Sequence, residues 1–281
     1  MPPNIRILYG TAWKQDETER LVRHALEVGF RGIDTACQPK HYNEAGVGAG
    51  IAASLNTRLR REQLYLQTKF TPTAGQEPHQ IPYDARAPLD EQVVQSTAVS
   101  LTNLRTDYLD CLLLHSPLED MEQTAKVWQA MEALVDAGSV RQLGISNCYQ
   151  LAQLETLCTQ ARIPPVVLQN RFHAETDYDR ELRAFCQPRG IVYQSFWTLT
   201  ANPQLLAHET VRTLARRHGR TAPQILFRYL TQIGIVPLTG TRSPAHMRQD
   251  LAIFDFELTA PQCAAMDALL EPAQDRRTRR R

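Results

Sequence analysis

Short apolar runs recur eight times along this chain, and each has the length of a single β-strand. They cover residues 5–12, 32–36, 64–70, 108–115, 142–147, 165–172, 191–197 and 233–239. Several runs are apolar almost throughout, which is typical of strands covered on both faces of a parallel sheet.

Segments with the helical repeat of apolar residues separate these runs. They cover residues 17–28, 89–104, 121–137, 151–161, 179–186, 209–218, 221–231 and 260–270. Alternation of strands and helices predicts parallel pairing through right-handed crossovers. Eight such units in 281 residues predict a single-domain (β/α)₈ TIM barrel over 1–281, with an open doubly wound sheet as the alternative.

Composition narrows the partners that we expect. A net charge of +1 provides no global field that would select nucleic acid or a membrane surface. No apolar run approaches the ~20 residues that span a bilayer, and the first residues lack the pattern of a signal peptide. The six cysteines are scattered without a C-x-x-C pair, which gives no support to a metal site. We therefore expect a cytoplasmic protein that binds no metal, membrane or nucleic acid.

Two segments depart from the alternating pattern. Residues 71–88 contain four prolines and little periodicity, and follow the third predicted strand. Active sites of such barrels lie at this face, so we expect the loop to cover part of a pocket. Residues 272–281 end in DRRTRRR, which predicts a disordered, solvated basic tail.

Polar residues stand at the ends of otherwise apolar strands. They are Asp34, Lys69, His115, Ser146, Asn147 and Gln169. Each has an ordinary structural explanation when taken alone: a helix cap, a satisfied core histidine or a solvated lysine. In a parallel barrel, however, all of them converge on one mouth. A carboxylate, an amine and an imidazole gathered there are costly unless they are paired or used, which predicts a functional site.

These residues and their surroundings resemble the aldo-keto reductase family over nearly the whole chain. The matching stretches are LYGTAWK, GFRGIDTA with YNEAGVG, LQTKF, LLLHSP, LGISN and IVPLTGT. The resemblance implies a (β/α)₈ barrel that reduces aldehydes or ketones with a nicotinamide cofactor. It also implies four catalytic residues, which fall on Asp34, Tyr42, Lys69 and His115.

Carbonyl reduction explains why those residue types are needed. A hydride that reaches the carbonyl carbon leaves negative charge on oxygen, which then takes a proton from Tyr42. An adjacent Lys69 ammonium is expected to lower the pKa of that tyrosine, and Asp34 to keep Lys69 charged. His115 is expected to hydrogen-bond the carbonyl oxygen and orient the substrate.

The proton donor is the least regular part of the resemblance. The usual family spacing places the tyrosine five residues after the aspartate, where this chain has Pro39. Counting back from Asn43 gives His41, which is also able to donate a proton. We interpret the segment CQPKHYNE as a local insertion that presents Tyr42, with His41 as the alternative acid.

The resemblance also implies a cofactor site. Ser146, Asn147 and Gln169 correspond to residues that bind the nicotinamide carboxamide. Phe196 stands where the family usually has a ring-stacking tyrosine. Trp13, after the first strand, corresponds to an aromatic residue that lines the substrate pocket.

Phosphate binding is expected after the eighth strand, where this chain departs from the common pattern. Leu238 replaces the usual lysine, and His246 stands near the usual arginine. Arg242 suits a phosphate because a guanidinium forms charge-assisted hydrogen bonds. The remaining candidates are Thr239, Thr241, Ser243 and Arg248. NADPH is thus favoured over NADH, which stays possible.

The sequence therefore predicts an NADPH-dependent reductase of small carbonyl compounds, and a monomer is favoured. Two alternatives keep the same barrel. One is a regulatory barrel that binds the cofactor with little turnover, and the altered tyrosine segment supports it. The other is lyase or epimerase chemistry at the same mouth.

Overall fold

The eight predicted strands all form, and they pair in parallel and in chain order until the last closes on the first. The computed structural model describes residues 5–55 and 59–271. The strands are β1 Leu8–Gly10, β2 Gly32–Asp34, β3 Tyr65–Phe70, β4 Cys111–Leu114, β5 Leu143–Ser146, β6 Val167–Arg171, β7 Val192–Phe196 and β8 Val236–Thr239. The predicted (β/α)₈ barrel is confirmed, and the alternative of an open sheet is wrong.

Helices surround the barrel. They are α1 Thr18–Val28, α2 Glu44–Leu55, α3 Leu89–Leu104, α4 Met121–Asp136, α5 Leu151–Gln160, α6 Arg180–Cys186, α7 Pro203–Ala207, α8 Glu209–His218, α9 Ala222–Gln232, α10 Pro244–Leu251 and α11 Ala260–Asp267. All eight predicted helices form, whereas α2, α7 and α10 were not predicted. In the part of the chain that the structure describes, no helix combines the length and apolar character needed to span a membrane.

Helix α2 escaped prediction because its sequence, EAGVGAGIAASL, is rich in glycine and has no clear polar face. The glycines serve close packing. A Cβ atom on Gly48 would lie 2.1 Å from the carbonyl oxygen of Asn103, and one on Gly50 would lie 2.8 Å from that of Glu19. The backbone of α2 therefore rests directly on its neighbours α1 and α3, which larger residues would prevent.

Strand β3 shows how alternation along a strand positions the site. Leu66 and Phe70 pack outward in the core between the strands and the helices. Tyr65 packs with the apolar residues of the barrel interior, and Gln67 and Lys69 follow it at intervals of two. Because successive side chains of a strand point to opposite faces, Lys69 also points inward, at the C-terminal end of the barrel.

The loop 71–88 is held by hydrogen bonds at the same end. The Tyr83 hydroxyl donates to the carbonyl of Thr71 at 2.8 Å, and Gln38 Nε2 donates to the carbonyl of Gly75 at 2.6 Å. The loop lies at the predicted face, but no residue of 71–88 lines the main cavity there. The expectation that it covers the pocket is thus unsupported. The basic tail 272–281 lies outside the described residues.

Candidate active site

Strands β2 and β3 bring a carboxylate and an ammonium group together inside the barrel. Asp34 ends β2, and Lys69 is the last residue but one of β3. Lys69 Nζ lies 2.8 Å from each carboxylate oxygen of Asp34 and 2.8 Å from the carbonyl oxygen of Thr35. Both residues are at most 2% exposed. Removing one partner of such a pair would leave an uncompensated buried charge.

Tyr42 approaches this pair from the segment between β2 and α2. The backbone N–H groups of His41 and Tyr42 both donate to the carbonyl of Gln38 at 3.0 Å, which closes a turn. Lys69 Nζ lies 5.5 Å from the centre of the Tyr42 ring. Burial, and then the charge of Asp34, raise the pKa of Tyr42 above its ordinary value. We expected Lys69 to lower that pKa; the direction is opposite because Tyr42 is desolvated and Asp34 offsets the ammonium charge.

His115, one residue past β4, lies beside Tyr42 with ring centroids 6.2 Å apart. Its Nδ1 lies 2.6 Å from Thr71 Oγ1, and its carbonyl accepts a hydrogen bond from Asn147 Nδ2 at 2.8 Å. Burial, with the charge of Lys69, lowers the pKa of His115 to about 3, so the ring is neutral near pH 7. When Thr71 donates to Nδ1, the proton resides on Nε2, which can then donate to a ligand.

The alternative acid, His41, stacks on Trp13 instead. Their ring centroids are 3.8 Å apart, and the backbone N–H of Trp13 donates a hydrogen bond to the backbone carbonyl of His41 at 2.7 Å. Burial lowers the pKa of His41. Both residues line the main cavity, but it is the Tyr42 ring that lies beside Lys69 and His115.

A cavity of about 1230 Å³ connects these groups with the C-terminal ends of β5 to β8. The predicted residues that line it are Trp13, Asp34, Tyr42, His115, Ser146, Asn147, Gln169, Phe196, Leu238, Thr239, Thr241, Arg242 and His246. Its volume exceeds the ~300–1,000 Å³ of common ligand pockets. Arg248 does not line this cavity; it lines a second, adjoining groove of about 470 Å³ beside Arg220, and the two share Thr221 and Gln249.

The residues expected to bind the carboxamide are held by one another. Ser146 Oγ donates to the carbonyl of Gln169 at 2.7 Å, and Asn147 Nδ2 lies 3.3 Å from Ser146 Oγ. Phe196 lines the cavity next to Trp197. Trp197 is half exposed and carries the Arg171 guanidinium 4.1 Å above its ring. Two aromatic faces thus border this end of the cavity.

At the opposite end, the polar side chains already have partners. Thr239 Oγ1 donates to Asp250 Oδ2 at 2.7 Å, and burial raises the pKa of Asp250 to about 6. The Arg242 guanidinium donates to Glu17 Oε2 at 2.8 Å and also to the carbonyl of Trp13. A phosphate at Arg242 would therefore compete with the Glu17 carboxylate.

Sequence reasoning missed one cation of this cavity, Lys14. It is 2% exposed and lines the cavity. Its Nζ donates to the carbonyl of Gly240 at 2.7 Å and lies 5.0 Å from the centre of the Tyr9 ring. Burial, with the charge of Arg242, lowers the pKa of Lys14 to about 8. Lys14 ends the stretch LYGTAWK, directly after the first strand, whereas the sequence-based prediction placed all phosphate-binding cations after the eighth strand.

Comparisons with known proteins agree with this fold. The aldo/keto reductase family model matches residues 6–203 and 198–271. The glyoxal reductase of Bacillus subtilis is 32% identical over 255 residues, which are 90% of this chain and 84% of that protein.

Solved structures agree as well. An aldo/keto reductase from Brucella melitensis has a TM-score of 0.80 at 28% identity and covers 95% of both chains. A Bombyx mori aldo-keto reductase, solved in complex with NADP, has a TM-score of 0.80 at 27% identity. The match covers 96% of this chain and 92% of the Bombyx mori chain. The chain therefore belongs to the aldo/keto reductase family. This confirms the expected class of enzyme, an NAD(P)H-dependent reductase.

Proposed function

We propose that this enzyme reduces small aldehydes and ketones to alcohols with NADPH, and that Tyr42 donates the proton. One observation carries the proposal: the Tyr42 ring lies beside both the Lys69–Asp34 pair and a neutral His115, at a cavity large enough for cofactor and substrate. A protonated phenol, a neutral imidazole and a buried ammonium together suit a carbonyl oxygen that gains negative charge.

The protonation states define the role of each side chain. The raised pKa of Tyr42 keeps its proton in place until the reacting oxygen becomes a strong base. His115, neutral and protonated on Nε2, donates a hydrogen bond to the same oxygen and orients it. Lys69, held by Asp34, stabilises the phenolate that remains on Tyr42 after proton transfer. Bound NADPH would supply the hydride.

The residues of the cavity fit a nicotinamide dinucleotide. Phe196 offers an aromatic face and Gln169 an amide at one end, and Thr241, Arg242 and Lys14 offer hydroxyl and cationic groups at the other. The NADP bound in the Bombyx mori relative supports NADPH as the cofactor. We assign the 2′-phosphate to Arg242, because Leu238 cannot bind it and Arg248 faces a different groove.

The substrate class can be tested by following the loss of NADPH absorbance with a panel of small carbonyl compounds. Glyoxal and methylglyoxal head the panel, because a Bacillus subtilis relative is named a glyoxal reductase. We expect turnover of at least one dicarbonyl, strongly reduced in Tyr42→Phe. A protein that binds NADPH but turns over no carbonyl would instead support the regulatory alternative. Normal turnover in Tyr42→Phe with loss in His41→Ala would assign the acid to His41.

A further inference from the structure

Three glutamines lie inside the barrel, and two of them bond directly to the Asp34 carboxylate. Gln67 on β3, Gln169 on β6 and Gln194 on β7 are each at most 2% exposed. The interior of a (β/α)₈ barrel is usually filled by branched apolar side chains, and a buried amide without partners costs free energy. These amides find their partners in one another and in Asp34.

The hydrogen bonds form a connected network. Gln67 Nε2 donates to Asp34 Oδ1 at 2.6 Å and to Gln194 Oε1 at 2.9 Å. Gln169 Nε2 makes the same two bonds, at 3.0 Å and 2.9 Å. Gln194 Nε2 donates to Gln67 Oε1 at 3.0 Å, and the Tyr65 hydroxyl donates to the same oxygen at 3.1 Å. Both N–H groups of Gln67 and both of Gln169 are therefore engaged.

The charge on Asp34 sets the direction of this network. A carboxylate only accepts hydrogen bonds, so Gln67 and Gln169 must turn their NH₂ groups toward it. Their second N–H groups converge on Gln194, which must therefore present its oxygen. Gln169 also lines the cavity. Because both of its N–H groups are engaged, its amide can offer a ligand only the carbonyl oxygen.

We propose that Gln67 and Gln194 are positioning residues which, with Asp34, hold the Gln169 amide as a hydrogen-bond acceptor for the cofactor. This inference rests on the proposed nicotinamide site and adds a requirement to it. The substituent on the pyridine ring must present an N–H donor to Gln169. A carboxamide meets this requirement, whereas an acetyl group in the same place keeps the carbonyl and lacks the N–H.

The test compares the binding of NADP⁺ and its 3-acetylpyridine analogue, followed by the fluorescence of Trp13 and Trp197. We expect the unaltered enzyme to bind the analogue roughly tenfold more weakly, because a buried acceptor is left without a donor. Gln194→Met keeps the side-chain length but removes one of the two acceptors that hold Gln169, the other being Asp34 Oδ1, so the ratio should fall below that of the unaltered enzyme. Gln262→Met removes a buried amide on α11 and should keep the ratio.

The outcomes separate this inference from the proposed function. If the unaltered enzyme binds both nucleotides equally, the inference is overturned and the proposed reductase stands. If it binds neither, the cofactor site itself is wrong, and the inference falls with it. An unchanged ratio in folded Gln194→Met also overturns the inference. Should Gln194→Met not fold, Gln67→Met replaces it: that change removes the oxygen that accepts from Gln194 Nε2, so an unchanged ratio in folded Gln67→Met also overturns the inference.

Discussion

Arg242 allows a quantitative test of cofactor preference because its guanidinium already has a partner. Nη1 lies 2.8 Å from Glu17 Oε2, and the side chains of Arg242 and Glu17 are 55% and 41% exposed. A 2′-phosphate must draw Arg242 away from this ion pair. The net contribution of Arg242 to binding is therefore the difference between two charged interactions.

Both interactions have known magnitudes. A hydrogen bond to a charged group contributes roughly 1.5–3 kcal/mol, whereas an exposed ion pair contributes about 0.2–1 kcal/mol. The difference is roughly 0.5–3 kcal/mol, so Arg242→Ala should raise the Kd for NADPH roughly 2- to 100-fold and leave the Kd for NADH nearly unchanged. Glu17→Gln should have the opposite effect and tighten NADPH about two- to fivefold, because it frees the guanidinium.

Titration of both nucleotides by quenching of tryptophan fluorescence measures these changes. Arg23→Ala, at an exposed position on α1, controls for the loss of one positive charge. High salt should shrink both effects because the pair is exposed. Equal weakening of NADPH and NADH by Arg242→Ala would refute the reasoning, since Arg242 would then serve a part that both nucleotides share. A loss seen only in Arg248→Ala would move the phosphate to the second groove.

Two further predictions concern the reaction centre, and a third concerns Lys14 at the cation-rich end of the cavity. Tyr42→Phe should lower kcat by on the order of 10² or more with little change in NADPH affinity; a similar loss in His41→Ala with normal Tyr42→Phe would contradict it. Lys69→Met should abolish reduction without unfolding the barrel, whereas Asp34→Ala should also lower Tm, because an unpaired buried ammonium costs about 3–5 kcal/mol. Because burial lowers the pKa of Lys14 to about 8, its positive charge is largely lost at pH 9. NADPH should therefore bind more weakly at pH 9 than at pH 7. Lys14→Met should bind NADPH weakly at both pH values.

The fold was predictable where its signals are local. The eight apolar runs and the apolar repeats of most helices depend on residues close in sequence, and the structure confirms both. Helix α2 was missed because glycine is a poor helix former in isolation. Its helix is stabilised by contacts such as that of Gly48 with the backbone near Asn103, which lie far apart in sequence.

The part of the candidate site that lies at strand ends was predictable, because the strand ends of a parallel barrel converge on one mouth. Asp34, Lys69 and His115 were expected together because each closes an apolar strand. The pKa direction of Tyr42 was not, since it depends on burial that no spacing reveals. Gln67 and Gln194 carry no local signal, because their partners lie on other strands of the barrel.

The cation-rich end of the cavity straddles the seam where the barrel closes. Tyr9, Trp13 and Lys14, from the start of the chain, bond to residues 240–242, more than 220 positions later. All four proposed catalytic side chains precede residue 116, so a ribosome synthesises them well before it synthesises β8. The proposed phosphate site, by contrast, comes into being only when β8 docks against β1. The cofactor can therefore bind there only after the barrel has closed. By binding the closed barrel, the nucleotide would stabilise the contacts between the β1 and β8 regions against unfolding.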